Sequence, residues 1–140
     1  MAGGIILGDE NAFGTVLLIA GMLAFFVAIV PFVTKASDAA VFAADRTSHQ
    51  EVLDTISKKA WEAADLVPGK ALSITVGLKR TSELSVKNGF AYLSFETQGQ
   101  RIVLNSTAPK NAKASLSLSK GPNELVFENG EGMVLIKAKN

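Results

Sequence analysis

No cysteine occurs in the 140 residues of this chain, which excludes disulfides, thiolate nucleophiles and cysteine-ligated metals together. Histidine occurs once, at His49, leaving no His pair for a metal and no Ser-His-Asp arrangement that stands out. Charge of one sign is also missing. The 14 basic and 13 acidic residues are mixed along the chain for a net charge of +1, so there is no basic face for nucleic acid and no acidic tail. Without a carboxylate pair, a nucleophile with its base or a metal cluster, the sequence offers no catalytic or metal-binding residues and implies no cofactor. The chain reads as a non-enzyme.

What is present is apolar. Between Glu10 and Lys35 run 24 residues without a charge. At about 1.5 Å per helical residue, the 22 positions 12–33 span roughly 33 Å, enough to cross the hydrocarbon layer of a bilayer. A secretory signal peptide has a basic start, a shorter apolar stretch and a small-residue cleavage site. None of these is found here, since no Lys or Arg precedes the run and Pro31-Phe32-Val33-Thr34-Lys35 offers no Ala-x-Ala exit. The segment is expected to be retained.

Three parts follow along the chain. Residues 1–11, with Gly3, Gly4 and Gly8 and the acidic pair Asp9-Glu10, read as an irregular lead-in ending in an N-cap. Residues 12–67 read as one helix of about 55 residues, roughly 80 Å long. Its first half, 12–34, is apolar all round. Its second half, 35–67, is amphipathic, with Leu53, Ile56, Ala60, Ala63 and Val67 spaced 3, 4, 3 and 4 apart on one stripe. No Gly or Pro interrupts positions 32–67, and Pro68-Gly69 supplies the stop. Leu53, Ile56, Trp61 and Val67 are the residues expected to pack this helix on the following domain, with Trp61 an anchor beside the seam rather than a ligand platform.

From residue 70 the period changes to two. Leu72, Ile74, Val76 and Leu78 alternate with Ser73, Thr75, Gly77 and Lys79, the pattern of a strand with one buried face. Six further runs, 83–86, 91–97, 101–105, 114–118, 125–128 and 133–138, are separated by turn chemistry such as Asn88-Gly89, Gln98-Gly99 and Gly121-Pro122-Asn123. Seven short strands over 70–140 predict an antiparallel β-sandwich of immunoglobulin-like size, and an α+β chain overall.

Smaller features have plain readings. Pro31 removes a helical hydrogen bond and clashes with the carbonyl of Val27, predicting a bend or local melting over 27–31. Asn105-Ser106-Thr107 is the one N-glycosylation sequon, placing a candidate modification at Asn105. His49 reads as a solvated helix residue, Lys58-Lys59 as a solvated face, and the Asn129-Gly130-Glu131-Gly132 segment as a turn.

Taken together, the retained apolar helix, its continuation ending Ala63-Ala64-Asp65-Leu66-Val67-Pro68-Gly69, and a small cysteine-free β-domain resemble an archaeal type IV pilin. The strand wording 71–76, 114–123 and 133–137 is similar to that of archaeal filament proteins with class III (prepilin-type) signals, archaellins included. The resemblance implies an extracellular structural filament for adhesion. Its subunits wait in the membrane as precursors, are processed by a prepilin peptidase and assembled by dedicated machinery, and then pack their helices in the filament core. The main partner is then a copy of the same chain. Lipid contact is exchanged for helix contact with no net exposure to water. Measured against water rather than lipid, burying about 2,000 Å² of apolar area per subunit at ~25 cal/mol/Å² yields about 50 kcal/mol before ordering costs. Candidate assembly residues are Phe13, Phe25, Phe26 and Phe32 as fillers, Gly14 and Gly21 for close approach, Pro31 for helix curvature, and Asp9 and Glu10. For the acidic pair two readings stand: charge complementing the helix dipole, or a registry salt bridge between subunits.

The chain departs from the family in having no Lys or Arg before Gly4, which fits a leader already removed ahead of Met1 or a different processing. Lys35 and Arg46 on the far side of the span argue weakly for a cytoplasmic β-domain. Asp38 and Asp45 dilute that flank, and a cysteine-free, sequon-bearing domain fits export better. A membrane-anchored minor pilin or archaellum accessory protein, gripping an envelope partner with its β-domain, is the competing expectation.

Overall fold

A computed structural model describes the backbone over residues 2–139 and the side chains over 12–139. It contains one helix, α1 (Ala2–Ala64), followed by seven strands: β1 (Ala71–Leu78), β2 (Ser82–Lys87), β3 (Phe90–Thr97), β4 (Gln100–Thr107), β5 (Ala112–Leu118), β6 (Gly121–Gly130) and β7 (Met133–Ala138). The chain divides into two units, Met1–Ala40 and Val41–Asn140. The α+β class and seven strands near the expected places agree with the hydrophobic patterning, but β6 begins at Gly121 rather than 125, so that Gly121-Pro122-Asn123, expected as a turn, pairs with Leu78-Gly77-Val76 of β1.

The helix differs from expectation at both ends. It begins at Ala2 rather than after an irregular lead-in. Three glycines cost helical propensity, about 1 kcal/mol each against alanine, but do not bar a helix. Asp9 and Glu10 therefore lie beyond the first turn, where the helix dipole acts; their side chains are outside the described residues. At the other end α1 stops at Ala64, not Val67. The last turn tightens, with Asp65 N–H donating to Glu62 O at 3.2 Å and Leu66 N–H to Ala63 O at 3.1 Å. The Asn129 amide donates to Leu66 O at 2.6 Å, satisfying a carbonyl left without a helical partner. Across 27–31 the helix is uninterrupted, so the local melting expected at Pro31 does not occur.

In the second unit, strand order is β1-β6-β7-β5-β2-β3-β4. Neighbours pair antiparallel except β5 and β7, which pair in parallel at Ala112↔Val134 and Lys113↔Leu135. The sheet is thus mixed, and the purely antiparallel expectation is corrected. Strand β5 leaves β7 after two residues and pairs over Ala114–Leu118 with β2. Two tight hairpins match their turn chemistry: Asn88 (φ 54°) and Gly89 (φ 86°) join Lys87 to Phe90, and Gln98 (φ 51°) and Gly99 (φ 74°) join Thr97 to Gln100. Successive positive φ values match the right-handed twist of the flanking strands.

One face of every strand points to a single core. Leu84, Leu93, Leu118, Leu125, Phe127 and Val134 meet Leu53, Ile56, Ala60 and Ala63 of α1, all buried. The helix stripe read from the sequence is therefore the face that packs, up to Ala63. With no disulfide available, this domain is held by packing and by a few polar locks. Asn123 is one such lock: fully buried, its amide donates to Ser119 O at 2.8 Å and Gly121 O at 3.1 Å, tying the β5–β6 turn.

Candidate functional site

Along α1, residues 12–33 carry no charge and every side chain except that of Ile29 is exposed. Phe13, Phe25, Phe26 and Phe32 stand outward, with Phe25 and Phe26 edge-to-face at 6.3 Å between ring centroids. At Gly14 and Gly21 nothing beyond the adjoining helix backbone lies within 4 Å of where a Cβ would sit, so another helix has open approach there. Gly21 lies in a shallow groove with Leu17, Leu18, Met22, Phe25 and Phe26. Pro31 is exposed on the same helix. These candidates share one continuous apolar surface, which among the described residues is the one helix long and apolar enough to cross a membrane. An exposed apolar area of this extent marks a surface built to meet lipid or protein.

The helix-packing candidates divide. Leu53 and Ile56 are fully buried, whereas Trp61 is 49% exposed and Val67 68% exposed. Both expectations are corrected. Trp61 follows the core residue Ala60 by one position and so turns about 100° away from the stripe. Val67 lies past the end of α1, where the helical period no longer sets its direction.

Asn105 is exposed on β4, an edge strand, and the whole sequon lies in extended backbone. The carbonyls of Asn105 and Thr107 accept hydrogen bonds from Gln50 Nε2, at 3.4 Å, and from the Ser57 hydroxyl of α1. The helix thus covers part of an edge that would otherwise be open.

One polar cluster was not anticipated. The Asp45 carboxylate accepts from Arg80 Nε at 2.6 Å and from the Thr97 hydroxyl at 3.0 Å. Burial pushes the carboxyl up, but hydrogen bonds from Arg80 and Thr97 and the charge of Arg80 outweigh it and hold Asp45 below its ordinary value of 3.8. One turn on, His49 is 1% exposed rather than solvated, stacked on Phe95 with ring centroids 4.0 Å apart. Its Nδ1–H donates to Asp45 O at 2.7 Å, and its Nε2 is buried without a partner. The signal was available: positions 45 and 49 continue the stripe 53, 56, 60, 63 backwards in steps of four. Among the described residues no group of three or more His, Asp or Glu is placed to hold a metal.

Lys58 is exposed, and Lys59 pairs with Glu62 at 3.0 Å. Comparison with family models, curated proteins and solved structures finds no match to this chain.

Proposed function

We propose that the chain is a structural subunit of an extracellular filament of the archaeal type IV pilus kind, polymerising through α1 and displaying the β-domain outward for adhesion. The observation that carries this reading is the run 12–33, uncharged and exposed except at Ile29, beside a domain with a complete core of its own. Copies of one apolar helix packing together bury that surface as lipid does, by dispersion and close approach at Gly14 and Gly21 rather than by hydrophobic gain over the membrane. The assembly implied is a helical homopolymer, preceded by membrane insertion and processing. Asn105, exposed on the β-domain, suits glycan attachment on such an outer surface.

The membrane-anchored alternative is supported by the same helix, since its length suffices to cross a bilayer. Electron microscopy of surface material sheared from cells producing the full chain separates the two. Filaments with helical symmetry, each apolar helix touching several copies, support the polymer. Detergent-solubilised monomers with no filaments in the sheared fraction sink it.

A further inference from the structure

Where β5 leaves β7 for β2, the sheet opens. Only Ala112 and Lys113 pair with β7, at Val134 and Leu135, and the strands then diverge around a slot of about 480 Å³. Leu116 and Leu135, both half-buried, supply apolar lining with the core residue Ile136 almost wholly buried behind them, and Lys87, Lys113 and Lys137 also line it, with no acidic side chain in the lining. Lys137 reaches Glu128 at 3.4 Å. Lys87 and Lys113 join no ion pair among the described residues. Such a lining is complementary to an apolar group that carries negative charge beside it.

The same domain presents such a group elsewhere. Trp61, in the last turn of α1, and Val67, just past its end, are exposed large apolar side chains. Asp65, one turn beyond Trp61, is exposed and joins no ion pair. A tryptophan buries about 150–250 Å² in full, of which roughly half is still open on Trp61, and with Tyr and Arg it is among the residue types enriched at interface hot spots. We infer that the Trp61, Asp65 and Val67 corner of one copy seats in the lysine-rimmed slot between β5 and β7 of the next copy. Trp61 meets Leu116 and Leu135, and Asp65 faces the lysines. The charge complementarity and the presence of both halves on one chain commit the occupant to a second copy. Because knob and slot are different surfaces, the contact is heterologous and propagates from subunit to subunit instead of closing as a two-fold dimer. This inference rests on the polymer reading and adds to it a lateral contact between β-domains.

The absence of native cysteine makes a direct test possible. Trp61→Cys and Leu135→Cys, singly and together in the full chain, are treated after assembly with a short bis-maleimide, and the same samples are viewed by electron microscopy. The double variant is expected to give a ladder of covalent oligomers, and each single variant no more than a dimer. A dimer from Trp61→Cys that the second cysteine does not extend overturns the contact, as does linkage of position 61 to a thiol of another protein. Filaments without a ladder overturn the contact and leave the polymer reading standing; a ladder without filaments does the reverse; neither overturns both. Since cysteine at 61 removes the indole itself, a charge exchange supplies the second measurement, with crosslinking through lysines read by mass spectrometry. Asp65→Lys or Lys113→Glu alone is expected to lower assembly about fivefold, and the two together to restore it to within about twofold, the coupling of a facing pair. Additive losses with no restoration would also overturn the contact.

Discussion

Residues 12–33 and 45–63 belong to one helix, yet the first stretch exposes its large apolar side chains and the second buries a single stripe of them. The difference lies in how apolarity is distributed around the axis. A helix that is apolar all round cannot be satisfied by one face of a small sheet and needs neighbours or lipid on every side. A helix with one stripe completes a core within its own chain. The β-domain supplies the matching surface only once, to Leu53, Ile56, Ala60 and Ala63.

Substitutions that strike one region and spare the other test this division. The largest effect is expected for Phe127→Ala, which empties a fully buried core position and should cost about 3–5 kcal/mol. Denaturant unfolding of the β-domain reads this, while membrane partitioning of the chain should not change; a shift in both would mean that the regions are energetically one. Next comes Leu23→Arg, a charge at the middle of the apolar stretch, expected to cost about 2.5–3.5 kcal/mol of insertion. It should abolish membrane retention and filaments while the β-domain melts as before, a pairing checked by fractionation and circular dichroism.

Asp45→Ala is expected to cost about 1–3 kcal/mol, because Arg80 and Thr97 lose their acceptor. Its pH dependence has a definite sign. The native carboxyl is held below 3.8, so its stabilisation is complete above the ordinary carboxylate range and is lost as pH falls through the depressed value. The gap between wild type and Asp45→Ala should accordingly close in acid, and a gap constant from neutral pH to below 3 would reject the lock. The smallest effect belongs to Trp61→Ala. At 49% exposure, the indole should change folding stability by no more than about 0.5 kcal/mol. A loss of several kcal/mol on chemical unfolding would return Trp61 to the core.

Much of the fold could be read in the chain because each local signal agreed with its neighbours. Alternation from Leu72 to Leu78, two-residue turns at Asn88-Gly89 and Gln98-Gly99, and the stripe from Leu53 to Ala63 reflect periods set by backbone geometry. Trp61, expected to anchor the helix beside the seam, is half exposed because its angular position lies about 100° from the stripe. The role of Asp45 is not legible locally, because its partners Arg80 and Thr97 lie 35 and 52 residues away.

By itself the sequence determined the uncharged apolar span, the one-faced second half of α1, the α+β class and the approximate places of the seven strands, since these depend on residues a few places apart. Tertiary structure decided the parallel β5–β7 pairing, the slot it opens, the burial of His49 and the Asp45–Arg80–Thr97 lock. Each of these depends on which distant segments share a surface, and that is settled by the packing of the whole core rather than by any local period.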